Sequence, residues 1–293
     1  MNPPIRALLH SVFDYAGLFP PAALSMDSAV HEYAQLRTSD QAWLVRRMVC
    51  PIAWLNDFWA EAKSVANSDD PFRLTVLGTS IEGFRQDLLA IEMFEAGAKG
   101  AAYVEGYEVK GQTGEMSAKQ LDHIATAGFE EAFVEVPLGE GFEESLHMLA
   151  EADTLGAKAR VGGLEAAAYP APDQLASFIQ ECTQLDLTYK MTAGLHHPVR
   201  HKHPTLDACE HGFLNVLIGG CLAMQHDLSR SELAALLEET AIDAFRFDSE
   251  TIGWREHSVT TSQIHDFRQV FASIGSCSID EPNDDLNAFG LLN

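Results

Sequence analysis

The segment "LTYKMTAGLHHPVRHKHP", residues 187–204, sets one lysine in an alternating run, then four histidines, an arginine and a second lysine, with no acid among them. A lysine that is neutral near pH 7 attacks carbonyls and forms imines. Lys190 is the candidate for that role, because cationic neighbours lower the pKa of an ammonium and the sequence offers Arg160 and Arg246 on other strands. It could equally stay charged and polarise a carbonyl or carboxylate. Glu135 and Glu105 are the candidate general acid and base. Arg160 could grip a substrate anion bidentately, with His196, His197, Arg200, Arg246, Asp248 and Asp14 around it.

The histidines need their own account. His196, His197, His201, His203 and His211 fall within 16 residues, where the chain's 12 histidines would put about 0.7 by chance. His201 and His203 form an H-x-H, which in an extended segment aims both rings to one side, as a divalent metal requires. No H-E-x-x-H and no C-x-x-C accompanies them. The alternative is a positive field at a pocket mouth, which recruits a small carboxylate or phosphate to an otherwise negative protein.

These residues must be held by strands. Three segments, "EAGAKGAAYVEGYEV", "ATAGFEEAFVEVPL" and "ADTLGAKARVGG", share an apolar helical tail, a glycine and a short β-rich run. Glycine there supplies a left-handed helix stop, and the recurrence of roughly 30 residues is the size of one βα unit. Extending the pattern predicts eight strands: 8–16, 44–51, 72–78, 101–107, 132–137, 157–162, 187–193 and 244–248. The first could equally begin as a helix. Helical stripes follow, among them Leu175, Phe178, Ile179, Cys182 and Leu185, and Ile264, Phe267, Val270, Phe271 and Ile274. Eight alternating units predict an α/β fold, a (β/α)8 TIM barrel over residues 1–273 with a tail at 274–293 packed outside. A doubly wound open sheet is the rival, weakened by the lack of a glycine-rich phosphate loop.

Strand side chains alternate between faces. Opposite the apolar face, five strands carry Glu105, Glu135, Arg160, Lys190, and Arg246 with Asp248. In a barrel these would converge near the C-terminal strand ends, where barrel active sites sit. Asp14 and Tyr15, in "HSVFDYAGLFPPA", could reach the same pocket from the first strand.

The chain of 293 residues carries a formal charge of −24, which disfavours nucleic acid and anionic membrane partners. No apolar run reaches the roughly 18 residues of a membrane span, and the N-terminus lacks the apolar core of a signal peptide. Five dispersed cysteines read as reduced thiols, so a cytoplasmic location is expected.

"YKMTAG" at a strand end resembles the lysine strand of class I aldolases of the deoxyribose-phosphate aldolase type, and "RVGG" is similar to that family's other glycine-rich strand end. The order of these strands is swapped here, and Arg160 stands where the family has a second lysine. The resemblance implies a barrel and imine chemistry. "TAGLHHP", "DYAGLFPPA" and "HGFLN" resemble strings of an uncharacterised bacterial barrel-like family, which implies no activity.

The leading expectation is therefore a lyase, aldolase-like or isomerase, acting on a small anionic carbonyl compound without a required cofactor. The alternatives are a metal-dependent hydrolase or lyase using the carboxylates or His201 and His203, and a non-catalytic binder of small anions. A homo-oligomer is compatible with any of them.

Overall fold

The computed structural model describes residues 2–111, 116–152 and 154–292; Asp153 of the third repeated segment and Asn293 of the tail lie outside them. Eight parallel strands close a barrel. They are β1 (Phe13–Tyr15), β2 (Val45–Pro51), β3 (Phe72–Leu77), β4 (Ala102–Lys110), β5 (Glu131–Glu135), β6 (Leu155–Arg160), β7 (Tyr189–Thr192) and, after the short outer pair β8 (His201–Lys202) and β9 (Cys209–Glu210) and three further outer strands, β13 (Phe271–Ser276). Around the barrel the order is β1-β13-β7-β6-β5-β4-β3-β2. The expected (β/α)8 barrel is the observed fold.

Helices separate the strands. They are α1 (Pro3–Leu9), α2 (Met26–Leu36), α3 (Leu55–Ala62), α4 (Phe84–Ala98), α5 (Ala118–Ala125), α6 (Phe142–Ala150), α7 (Pro172–Gln184), α8 (Phe213–Gln225), α9 (Arg230–Leu237), α10 (Thr261–Val270) and α11 (Asp280–Ala288). In α7, Pro172 occupies the first turn, and Leu175, Phe178, Ile179 and Cys182 form its buried stripe. The most apolar helix, α8, is buried nearly all round. Among the described residues no helix is long and apolar enough to cross a membrane.

Three expectations need correction. The first strand does not begin at Leu8. Asn2 caps α1 and two prolines open it, so Ile5, Leu8 and Leu9 form a buried helical face and only Phe13–Tyr15 enter the sheet.

The eighth barrel strand is not 244–248. That segment forms β10 (Phe245–Phe247), which joins β11 (Thr251–Trp254) and β12 (His257–Thr260) in a separate antiparallel sheet. The eighth place belongs to β13, where Ile274 stands opposite both Phe13 and Met191. The expected helical stripe thus breaks after Val270, and residues 274–276 belong to the barrel rather than to a tail. All six β13 residues are buried, so no polar alternation marks the strand in the sequence.

The third correction concerns β4. Its register against β3 passes from Leu74–Val104 to Thr75–Gly106, so Glu105 is an extra residue, a β-bulge. The bulge reverses the parity of everything after it and brings Glu108 inward. Glu105 instead joins an ionic plug with the buried Arg47, which reaches Glu105 at 2.7 Å, Glu131 at 2.8 Å and Glu130 at 3.0 Å. Arg46 pairs with Glu131 at 2.6 Å. Several partners per charge are what buried ions require.

Candidate active site

The C-terminal strand ends enclose a cavity of about 490 Å³. Its floor is made by Glu108 of β4, Lys158 of β6 and Lys190 of β7. Lys158 and Lys190 are register partners on neighbouring strands, so both ammonium groups project inward at one level. Glu108 accepts from both, with one oxygen 2.8 Å from Lys158 Nζ and the other 2.6 Å from Lys190 Nζ. Lys158 also lies 2.8 Å from Glu135, and Arg160 approaches the same carboxylate at 3.4 Å. Lys190 donates to Asp14, which accepts a second hydrogen bond from Ser273 of β13 at 2.6 Å.

The pairing decides the charges. Burial alone would lower the Lys190 pKa, but Asp14 and Glu108 outweigh it and raise it above the usual lysine value. The expected depression of Lys190 by cationic neighbours is therefore overturned: its contacts are carboxylates, and Arg246 is on the other sheet. Burial would raise the Asp14 carboxyl; Lys190, with Arg46 and Arg47, brings it down to about 2. Burial likewise opposes ionisation of Glu108 and Glu135, and their cations overcome it, Lys158 and Lys190 for the first, Lys158 and Arg160 for the second. Each carboxylate stays ionised at neutral pH.

The walls are mixed. Phe19, Pro20, Pro21, Leu164 and Leu206 supply apolar surface, and Arg160, His196, His203 and Glu210 supply charge and hydrogen-bonding capacity. The Arg160 side chain is 49% exposed and is the least enclosed cation there. Behind it, Tyr169 donates to the Gly163 carbonyl at 3.0 Å, fixing the loop after β6. That loop packs directly on the one after β7: a Cβ on Gly162 would sit 2.7 Å from the Gly194 Cα.

Of the residues expected at the site, Lys190, Arg160 and His196 line the cavity, Glu135 touches its floor through Lys158, and Asp14 lies against Lys190. The rest do not converge there. Glu105 is in the ionic plug. Arg246 donates to the carbonyls of Arg255 and His257, and the Asp248 carbonyl accepts from Asn2, both outside the barrel. Arg200 lies 3.1 Å from His211. His197 pairs with Asp285 at 2.6 Å.

The histidine loop is no uncompensated positive field. Acids meet it: Glu281 and Asp285, remote in sequence, at His196 and His197, and the nearby Glu210 at 3.9 Å from His201 and 3.5 Å from His203. His203 lines the cavity and His201 does not. Burial holds the His201 pKa down, with a further push from His197. Burial takes His211 to about 4, so its ring is neutral and bridges Arg200 to the Pro170 carbonyl. Among the described residues no three His, Cys, Asp or Glu side chains gather as a metal site would require.

Sequence reasoning missed Lys158 and Glu108. Lys158 lies two residues before Arg160, so strand alternation already placed it on the same inward face. Nothing local in the sequence signals the bulge that turns Glu108 inward.

No protein-family model matches the chain, and no curated protein matches it. Among solved structures, the chain bears a weak likeness to one described as a "putative fructose-1,6-biphosphate aldolase" from Coccidioides immitis. It shares 8% identity with a TM-score of 0.35, over 89% of this chain and 96% of that one. An overlap that loose carries no argument, so the fold rests on the strand pairing and the function on the cavity.

Proposed function

We propose that the cavity is the active site of a lyase or isomerase that binds a small anionic carbonyl compound as an imine on a floor lysine. The observation that carries this reading is the pair of lysines sharing Glu108 at the base of an open cavity. An imine withdraws electrons from the adjacent carbon, so a neighbouring C–C or C–H bond can break heterolytically.

Electrostatics divide the work between the lysines. Among the described residues Lys190 is the one cation hydrogen-bonded to Asp14, so taking its proton would leave that buried carboxylate with the Ser273 hydroxyl and the more distant Arg46 and Arg47 alone. Lys158 is different: Glu108 would still hold Lys190, and Glu135 would still hold Arg160. Lys158 is also the less enclosed, 5% exposed against 1%. Lys158 therefore forms the imine, and Lys190 acts as the permanent cation that polarises the carbonyl and anchors Glu108. This exchanges the nucleophilic role expected for Lys190 for the polarising one.

In the first step Lys158 gives a proton to Glu108 or Glu135, both within 2.8 Å, and its amine attacks the carbonyl carbon. The carbonyl oxygen takes up protons and leaves as water. The same carboxylates then move the proton to or from the substrate carbon. Arg160 binds the substrate anion, and Phe19, Pro20, Leu164 and Leu206 face its carbon chain.

The test is reductive trapping. The protein is incubated with a panel of small oxo acids and sugar phosphates, reduced with borohydride and mapped by peptide mass. The expected result is one adduct, on Lys158, absent from Lys158→Met. An adduct on Lys190 would keep the imine and reverse the roles. Labelling scattered over surface lysines, or turnover persisting in Lys158→Met and Lys190→Met alike, would end the proposal.

A further inference from the structure

A second titratable cluster faces the same cavity. Cys277, directly after β13, and His196, in the loop after β7, both line it. Cys277 Sγ lies 3.9 Å from His196 Nε2 and 4.0 Å from Nδ1. Glu281, in the first turn of α11, holds Nδ1 of that ring at 3.2 Å. Neither the imine floor nor the ionic plug uses these groups.

The cluster has a direction. Burial disfavours a charged ring, but Cys277 and Glu281 overcome it and raise the His196 pKa to about 10. A cationic ring beside a thiol promotes the thiolate, which is the nucleophilic form. The other cysteines are placed differently. Cys277 is also buried but lines the cavity, whereas Cys50, Cys182 and Cys221 are buried away from it, and burial pushes these three thiols up, Cys50 to about 12. Cys209 is exposed. Cys277 has both nitrogens of an imidazole within 4.0 Å of its sulfur.

We infer that Cys277 is a peroxide-sensitive modification site, a thiol activated by His196 and Glu281 and open to the cavity. His196 relays the thiol proton to the departing oxygen. The sulfur attacks one oxygen of a small hydroperoxide, the S–O bond forms and the O–O bond breaks. Sulfur is oxidised by two electrons to the sulfenic acid, and the departing oxygen takes the proton from His196 and leaves as water or an alcohol. The new S–OH projects into the cavity wall above the lysine floor. This inference is independent of the imine proposal.

The experiment treats the reduced full-length protein with hydrogen peroxide and dimedone, then follows each cysteine peptide by mass spectrometry. Cys277 is expected to label before the exposed Cys209, and Cys50, Cys182 and Cys221 last. His196→Gln should slow Cys277 labelling about tenfold or more while Cys209 keeps its rate. Near-UV circular dichroism checks that this variant is folded. If it is not, Glu281→Gln, altered at a half-exposed position, serves instead and should slow the same peptide. Labelling of Cys209 ahead of Cys277, or a Cys277 rate unchanged in the folded variants, overturns the inference.

Discussion

Lys158 and Lys190 stand opposite each other on neighbouring parallel strands, and Glu108 binds one with each of its carboxylate oxygens, at 2.8 and 2.6 Å. Two ammonium groups so close would repel without that charge between them. Glu108→Gln is therefore expected to lower stability by ~3–5 kcal/mol, as for other buried pairs broken from one side. Urea unfolding measures this, and a loss below about 1 kcal/mol would show that water already screens the floor.

Asp14 gives the floor an acid limit. Its folded pKa is about 2, against about 3.9 for an unperturbed aspartate, so the native state binds the proton more weakly than the unfolded chain does. The resulting stability, of order 2 kcal/mol, is fully present above about pH 4 and is lost as pH falls towards 2. Asp14→Asn should be less stable at pH 7 and should flatten the stability profile across that window. Lys190 acts at the other end. Its raised pKa makes its contribution present below the ordinary lysine value and lost as pH climbs through the folded one.

The loops after β6 and β7 leave no room for a methyl group between them. A Cβ on Gly162 would meet the Gly194 Cα at 2.7 Å and its N at 2.8 Å, and Gly194 itself has φ +70°. Gly162→Ala should cost ~1–3 kcal/mol through backbone displacement and should also weaken ligand binding, because both loops wall the cavity. Thermal melting and the trapping yield test the two effects separately.

Arg160 and Arg246 separate the site from what only resembled it. Arg160→Met should raise the substrate concentration for half-maximal adduct formation by roughly 10–100-fold, the worth of one charged hydrogen bond. Arg246→Ala, on the outer sheet, should leave that concentration unchanged. Equal effects of both would contradict the location of the site.

The sequence by itself determined the alternation of strands and helices, hence the barrel, and the inward face of the strands carrying Glu135, Arg160 and Lys190. Both are local properties: a strand counts its faces by two and a helix by about 3.6 residues, and neither count needs the rest of the chain. Tertiary structure decided everything that depends on which strands lie side by side. The bulge at Glu105 exists because β4 must fit the register of β3, and it exchanges Glu105 for Glu108 at the floor. The eighth place belongs to β13, a strand buried on both faces with no alternation to show, whereas Arg246 alternates with Phe245 and Phe247 in a sheet outside the barrel. Ion pairing was the least legible of all. Asp14 and Lys190 are 176 residues apart, and the acids that meet the histidine loop include Glu281 and Asp285 of α11. A lysine beside carboxylates is a different acid from one beside arginines, and only the closed barrel fixes which neighbours Lys190 has.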